Sequence, residues 1–262
     1  MYKDCDESNV DLDKLKGFIE ENFGFSEIIL RNKYLDFHQG NHPIVNIAKQ
    51  LAALRVKEVN KPHVEYSPFY GEIEFEKRYL TGKMNKIKGI LYDGLKLLLL
   101  YWEILRSNER SPDIIHIVIT NRLFGTFARE DGRYHIRSIL CSGISLISTA
   151  GIVEGPAKPR LFYKLKHQSV ALGTNLPIEV FKEQFKGQFI DYNDPNLTEV
   201  LKGFVSQALI FNLTGDPFCS EKRCRLFNAH WQAELIDAQV RYGKFCKMHQ
   251  QFLEKLKLSK NT

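Results

Sequence analysis

The chain has 262 residues, of which 44% are hydrophobic and 12% aromatic, a composition typical of a folded globular protein and not of a disordered one. Its net charge of +6 permits contact with nucleic acid without requiring it. The first residues do not read as a secretory signal, and the longest apolar run, Leu97–Trp102, is too short to span a bilayer. We therefore expect a cytoplasmic protein with no membrane partner, whose five cysteines are thiols, metal ligands or core residues.

The N-terminal part of the chain is predicted to form a helix–strand–helix unit, residues 1–60, that packs on the main domain, residues 61–262. Apolar residues at helical spacing predict a helix over residues 11–23, and Phe25–Leu30 has the pattern of a strand. A second helix is expected from Asn41 to about Val56, because a proline near its start suits the first helical turn.

The centre of the chain combines one long helix with several strands. An amphipathic helix is predicted from Asn85 to Arg106, and Asn121–Phe127 is expected to be a loop. The segment Ile114–Ile119, which is β-branched except for His116, is typical of a buried strand. Two further strands are predicted at Tyr134–Cys141 and Ile144–Val153.

The last hundred residues return to a helical pattern after Pro156. Helices are predicted at about 159–167, 176–185, 197–213 and 228–256. Strands in the middle of the chain with helices on both sides predict an α+β fold, in which a mixed central sheet is packed by helices.

Three cysteines and a histidine near the end of the chain have the spacing of a metal site. Cys219 and Cys224 are separated by four residues, and Cys246 and His249 lie three apart on a predicted helix. Three thiolates and an imidazole are a complete ligand set for a closed tetrahedral zinc site, which leaves no position for a reactive water. The sequence therefore predicts one structural Zn²⁺; the ordinary alternative is a group of core cysteines beside a surface histidine.

The same residues carry a resemblance to a known family. The stretch Leu201–His249 resembles the C-terminal half of the archaemetzincins, a mainly archaeal family of zinc peptidases. Their motif is His-Glu-x-x-His-x-x-Gly-x-x-His-Cys-x4-Cys-x-Met, followed about seventeen residues later by Cys-x-x-Cys. Here Cys219-x4-Cys224 is present, and Cys246 follows after 21 residues, with His249 in place of the last cysteine. The resemblance implies a zincin-like fold, with Ile114–Leu123 and Ser145–Ile152 as two segments of its sheet.

The resemblance also implies that the catalytic groups of the family are missing. Aligning the cysteines places Ala208, Asn212 and Phe218 at the three positions of the zinc-ligating histidines. Leu209 stands at the position of the glutamate base, and Gly215 is the one residue of the catalytic motif that is kept. Alanine, leucine and phenylalanine cannot bind zinc, and no base remains to take a proton from water. We therefore expect no catalytic residue at these positions.

Other polar residues are further candidates for a site. His38 and His42 have the histidine spacing of a zincin, but a glutamine follows His38 where the base should stand. His230 and Glu234 are four apart and would share a helix face, either as a site or as a structural network. One face of a predicted strand carries two arginines and a histidine that could bind an anion or a peptide carboxylate, or could simply face solvent: Arg133, His135 and Arg137.

The leading hypothesis is an inactive archaemetzincin-like protein that keeps one structural zinc and binds a peptide or protein by strand addition. The first alternative is an active, divergent metal-dependent hydrolase that uses His230, Glu234, His167 or the Arg133–Arg137 strand. The second alternative is a nucleic-acid-binding zinc protein, which is favoured by the basic charge and the lysine-rich segment Lys255–Lys260.

Overall fold

The computed structural model describes residues 1–40, 42–84, 89–174 and 176–260, and it has the predicted α+β fold with mixed sheets packed by helices. The strands are β1 (Tyr2–Asp4), β2 (Leu91–Asp93), β3 (His116–Thr120), β4 (Leu123–Ala128), β5 (Arg133–Arg137), β6 (Ile139–Leu140) and β7 (Ile144–Ser148). The helices are α1 (Leu12–Phe23), α2 (Tyr34–His38), α3 (Ile44–Ala53), α4 (Tyr70–Leu80), α5 (Gly94–Ile104), α6 (Thr149–Glu154), α7 (Arg160–Ala171), α8 (Ile178–Gln184), α9 (Leu197–Thr214), α10 (Gln232–Ile236) and α11 (Lys247–Lys260). Among these elements, no helix combines the length and apolar character needed to cross a membrane.

The larger sheet has four strands in the order β1-β3-β7-β6. Strands β1, β3 and β7 are parallel, and the short strand β6 runs antiparallel to β7 at the edge of the sheet. Both faces are covered by helices, which is why all the residues of β3 are buried. Ile117 and Ile119 belong to the core formed with α1 and α9, whereas Val118 belongs to the core formed with α5 and α3.

The smaller sheet, β2-β4-β5, is joined to helix α4 by a buried group of charges. Glu76 of α4 accepts hydrogen bonds from Arg122 at 2.8 Å, from Arg55 at 2.6 Å and from the Tyr92 hydroxyl at 2.7 Å. Burial alone would raise the pKa of Glu76, but Arg122, Tyr92 and Arg55 together hold it below its usual range. The carboxylate therefore stays ionised, and its hydrogen bonds hold helix α4 against the smaller sheet.

Five of the predicted helices are confirmed as α1, α3, α7, α8 and α9, although Asn41, the expected start of α3, lies outside the described residues. Two predictions in the first half need correction. Phe25–Leu30 is irregular, and the chain meets the sheet there through a bridge between Arg31 and Tyr2. Of the helix predicted over Asn85–Arg106, residues 85–88 lie outside the described residues, and the part that is helical is α5; Asp93 ends strand β2 and caps the first turn of this helix.

The strands in the centre of the chain have different boundaries from the predicted ones. The expected loop Asn121–Phe127 contains β4, which pairs with β2 and β5. The expected strand Tyr134–Cys141 is split between β5 in one sheet and β6 in the other. The strand expected over Ile144–Val153 ends at Ser148, because the Ser148 hydroxyl caps helix α6 by accepting the Gly151 N–H.

The helix predicted over residues 228–256 is broken into three pieces. Helix α10 continues as a π-helical segment, Asp237–Tyr242, which ends at Gly243 in a left-handed conformation (φ +57°). Helix α11 then starts at Lys247. The π-helical segment carries Gln239 directly against Gly203 of helix α9, so closely that a Cβ atom on Gly203 would overlap the Gln239 carboxamide. Glycine is therefore required at position 203 by close packing.

We predict that Gly203→Ala lowers the free energy of unfolding by about 2 kcal/mol or more, because the extra carbon displaces a buried glutamine. The matched control is Gly17→Ala on the exposed side of α1, where no atom lies near the added carbon. That change should stabilise the protein by up to about 1 kcal/mol through helix propensity. Urea titrations of both variants measure the two changes, and equal stability of the two would contradict the packing argument.

Candidate metal centre and cleft

We call the four predicted metal ligands, Cys219, Cys224, Cys246 and His249, the quartet. Its first member lies just after the end of helix α9. Gly215 ends the helix in a left-handed conformation (φ +83°), and its N–H donates to the Phe211 carbonyl at 2.8 Å. The chain then turns into a loop, Cys219–Cys224, which is closed by backbone hydrogen bonds. The Cys219 N–H donates to Leu226 at 3.0 Å, and the Cys224 N–H donates to Glu221 at 3.0 Å.

The quartet comes together as the spacing predicted. The Sγ atoms of Cys219 and Cys246 are 3.8 Å apart, and the Nδ1 atom of His249 lies 3.8 Å from Cys224 Sγ and 3.1 Å from Cys246 Sγ. All four ligating atoms lie within 4.8 Å of one another. A tetrahedral zinc ion with Zn–S of about 2.3 Å and Zn–N of about 2.0 Å would give S–S and S–N separations of about 3.5–3.8 Å. The cluster can therefore hold a metal ion of that size.

A metal ion in the quartet would have to displace protons from buried thiols. Burial raises the pKa of Cys224 to about 12, which favours the protonated thiol until a metal ion binds. Backbone N–H groups of Glu221 and Cys246 point at sulfur, each 3.4 Å from Cys219 Sγ and Cys224 Sγ respectively. A tetrahedral ion bound by all four groups would have no coordination position left for a substrate or a reactive water.

One arginine next to the quartet connects it to the core. Arg225 donates to the Gly243 carbonyl at 2.7 Å and forms an ion pair with Glu199 of α9. Its own carbonyl accepts a hydrogen bond from Gln239 Nε2 at 2.8 Å. The cysteine loop is thus fixed to helix α9 and to the π-helical segment at the same point where Gly203 makes its close contact.

A cleft of about 330 Å³ lies between the edge strand and helix α9. Residues 136–141, which include strand β6, form one wall, and the α9 side chains Phe204, Gln207 and Phe211 form another. Phe218 and residues 227–230 close it on the side of the cysteine loop.

The four positions aligned with catalytic groups do not meet in this cleft. Phe218 lines it, but Ala208 and Leu209 are buried in the core, and Leu209 lines a different cavity on the sheet side of α9. Asn212 is exposed, and its amide donates to the Ala208 carbonyl at 2.8 Å. The side of α9 that faces the cleft is instead the one carrying Gln207 and Phe211.

The remaining sequence candidates divide into two groups. Arg137 and His230 line the cleft, whereas Arg133 is exposed on the smaller sheet and His135 pairs with Asp131 at 2.5 Å. The Glu234 carboxylate accepts the backbone N–H groups of His230 and Trp231, at 3.1 and 3.2 Å, so it caps helix α10. His167 is exposed on α7, away from the residues that line the cleft.

A second cluster, which the sequence did not reveal, contains His38, Glu109 and His116. The Tyr2 hydroxyl lies between the two imidazoles, 2.7 Å from His38 Nε2 and 3.1 Å from His116 Nδ1. Arg31 pairs with both oxygens of Glu109, at 2.8 and 2.9 Å. These residues are far apart in the sequence, so no local motif could have predicted the cluster. His42, the expected partner of His38, is exposed.

The hydrogen bonds of this second cluster are complete without a metal. His116 Nε2 is 3.0 Å from the Glu109 carbonyl, which leaves Nδ1 to accept the Tyr2 hydroxyl proton. The Tyr2 oxygen then accepts hydrogen bonds from Arg31 and from His38. Burial lowers the pKa of His38 to about 4, so both imidazoles serve as neutral partners in a structural network.

The whole chain matches a protein-family model. The family is described as "Probable metallopeptidase family (DUF6775)", and the match covers residues 1–256, including both the N-terminal sixty residues and the metal centre. Among curated proteins and among solved structures, no match to the chain is found.

We predict that Cys224→Ser abolishes stoichiometric metal binding, because it removes a buried ligand from the centre of the cluster. Elemental analysis should find about one zinc ion per chain in the parent protein and almost none in the variant. Metal binding of this kind stabilises a fold by several kcal/mol, so the C-terminal part should also unfold at a lower urea concentration.

The control for this experiment is Cys141→Ser, which changes a cysteine outside the cluster. It should keep its metal and its urea midpoint. Two metal ions per chain in the parent, or a fully loaded Cys224→Ser variant, would contradict the assignment.

Proposed function

The chain belongs to this family of probable metallopeptidases, and we propose that it is a member that binds an extended peptide or protein segment without cleaving it, while one zinc ion stabilises its C-terminal part. One observation carries the proposal. Among the described residues, the groups able to hold a metal lie at the Cys3His quartet and at the His38 network, and neither group lines the cleft. The cleft therefore contains no cluster of metal-binding groups among the residues that the structure describes.

The ionisable groups of the cleft support a binding role. Metal-assisted hydrolysis needs a metal-bound water and a base that accepts its proton. Among the described residues that line the cleft, the ionisable side chains are Arg137, Cys141 and His230, and none of them is a carboxylate. Burial raises the pKa of Cys141 to about 12, so this thiol is a poor base and a poor nucleophile.

Strand β6 supports binding of an extended peptide. It pairs with β7 on one side, and its other edge has no strand partner among the residues that the structure describes. Ile139 packs against the core that contains α9, and Leu140 packs against the core that contains α5. A peptide added beside β6 would therefore direct alternate side chains into the cleft beside α9 and toward α5.

The ligand types and the position of the quartet support a structural role for a zinc ion. Three thiols with one imidazole are a ligand set that suits zinc better than the hard cations calcium and magnesium. The ion would link the loop after α9 to the start of α11, which are 22 residues apart at Cys224 and Cys246. It would thus hold in place the cleft wall that contains Phe218.

We predict that Ala229→Phe weakens peptide capture, because the new ring fills part of the cleft. Immobilised, zinc-loaded protein would be incubated with a tryptic digest of denatured casein, and retained peptides would be identified by mass spectrometry. The parent should retain a reproducible subset, which the variant loses. The control Ala171→Phe, on the exposed side of α7, should retain the same subset as the parent.

The same digest tests whether the protein is an enzyme. We expect no new peptide termini after prolonged incubation with the zinc-loaded protein. New termini that disappear when a chelator is added would overturn the proposal and support the active, divergent hydrolase. Absence of any retained peptide in the parent would overturn the binding role.

A second candidate function, nucleic-acid binding, is favoured by a basic groove beside the quartet. The groove is lined by Arg223, Arg241, Lys244 and Lys247, with Tyr242 next to Arg223 and with Glu221 as an acidic member. Arg241 is paired with Asp237, but Lys244 and Lys247 are exposed and have no ion-pair partner in the described part of the chain. The lysine-rich segment, in contrast, lies on α11, and its Lys257 donates to Glu21 of α1.

We predict for this candidate that Lys244→Glu with Lys247→Glu weakens binding of single-stranded oligothymidylate about tenfold or more. The slope of log affinity against log salt should fall by about 0.7 for each phosphate that the variant no longer neutralises. Lys164→Glu with Lys166→Glu on α7 changes the charge by the same amount and should have little effect. Fluorescence anisotropy measures the affinity of each double variant for oligothymidylate. If both double variants weaken binding equally, the attraction is only nonspecific.

A further inference from the structure

Helix α5 is apolar on its outer side as well as on the side that faces the core. Of its eleven residues, Gly94–Ile104, only Lys96 and Glu103 are charged. The side that is buried in the protein includes Leu97, Leu100, Tyr101 and Ile104. On the outer side, Leu95, Leu99 and Trp102 are 57%, 60% and 43% exposed. A helix that is apolar all round is normally covered all round, so the outer side of α5 calls for a partner.

The three exposed apolar residues form one continuous stripe. Leu95, Leu99 and Trp102 have the spacing that places side chains on one side of a helix over two turns. The Trp102 ring is held against the protein, since a Cβ atom on Gly143 would lie 3.2 Å from it, and the Arg110 guanidinium lies 5.9 Å from its centre. We call Leu95, Leu99 and Trp102 the outer stripe; none of them lines the cleft. Clustered apolar side chains of this kind mark interaction surfaces more often than single exposed ones do.

The two charged residues of α5 indicate which partner fits the outer stripe. Lys96 and Glu103 are seven residues, or about two turns, apart, and both line the groove that runs beside α5, so they lie on the same flank of the stripe. Lys96 Nζ is 3.5 Å from Glu65, whose side chain is 91% exposed, and such a surface pair contributes little. Glu103 is exposed and has no ion-pair partner in the described part of the chain. One end of the flank therefore carries a cation and the other end a carboxylate.

A second copy of α5 that runs antiparallel to the first is complementary to this pattern. With the two-fold axis beside Leu99, that side chain packs against Leu99 of the second copy, and Leu95 packs against Trp102 of the second copy. Lys96 then lies next to Glu103 of the second copy, and the symmetry forms this ion pair twice. A parallel arrangement would instead place lysine against lysine and glutamate against glutamate.

We infer that the outer stripe is the contact surface between two copies of this chain, which associate through antiparallel α5 helices. The charges select the antiparallel orientation, and the apolar side chains supply the burial. Three exposed side chains on each copy make a smaller interface than that of a permanent dimer, so we expect reversible association with a dissociation constant in the micromolar range. The inference does not depend on peptide binding in the cleft.

The first experiment measures sedimentation velocity of the full, zinc-loaded chain over a series of concentrations. The parent should change from monomer to dimer as the concentration rises. Leu99→Glu places two carboxylates beside the two-fold axis and should weaken dimerisation about tenfold or more. The control is Leu172→Glu, which changes another exposed leucine at the end of α7 and should leave the dissociation constant unchanged.

The second experiment tests the antiparallel orientation by reversing charges. Lys96→Glu and Glu103→Lys each replace two attractive pairs by two like-charge pairs, so each variant alone should dimerise about tenfold or more weakly than the parent. In an equal mixture, the carboxylates of one variant face the ammonium groups of the other. The mixture should therefore form heterodimers with an affinity close to that of the parent. Zinc content and thermal unfolding establish that each variant is folded.

Several outcomes would overturn the inference. One is a parent that stays monomeric at every concentration, including the case in which it binds a different protein that Leu99→Glu fails to bind. Another is a dimer that survives Leu99→Glu, because its contact would then lie on another surface. Antiparallel pairing is wrong if the mixture of charge variants associates no better than each variant alone. If Leu99→Glu does not fold, the charge variants and their mixture decide the question.

Discussion

The burial of helix α9 on nearly every side is the constraint on which the rest of the structure depends. Twelve of its eighteen residues are buried, so most positions are decided by what they pack against. One side joins α1 and the sheet in the larger core, and Gly203 receives the π-helical segment. A further side lines the cleft. The helix also ends at Gly215, from which the chain reaches the metal centre, so the cleft and the centre share one support.

This constraint explains why the aligned catalytic positions are separated in space. Residues four apart lie on one side of a helix, whereas a shift of one residue turns a side chain by about 100°. The cleft receives Gln207 and Phe211, so Ala208 and Leu209 turn toward the core. A histidine or glutamate introduced at those two positions would be buried among apolar side chains, away from the cleft. The separation of these positions therefore follows from the orientation of the helix and not only from the identity of its residues.

The parts of the molecule that could be predicted are those whose signal is local in sequence. Apolar spacing indicated α1 and α9, and the spacing of Cys219, Cys224, Cys246 and His249 indicated the metal centre, because each pair sits on one turn or loop. Strand β2 escaped prediction because its partner β4 lies beyond helix α5 in the chain; β4 itself pairs both with β2 and with the neighbouring strand β5. The partners of His38 are 36 residues away at Tyr2 and on β3 at His116, and no pattern within a window of sequence relates them.

The two clusters show that closeness of potential ligands is insufficient to define a metal site. Around His38 and His116, the Tyr2 hydroxyl already occupies the space between the imidazoles, and Arg31 already neutralises Glu109. A cation would have to break several buried hydrogen bonds and would meet the arginine's charge. In the quartet, the described contacts of the sulfur atoms are with backbone N–H groups, with each other and with His249, and no side-chain cation is among them. A bound cation would compensate thiolate charge that the described side chains leave uncompensated. This difference in compensation, not in distance, favours the quartet over the His38 network as a candidate metal centre.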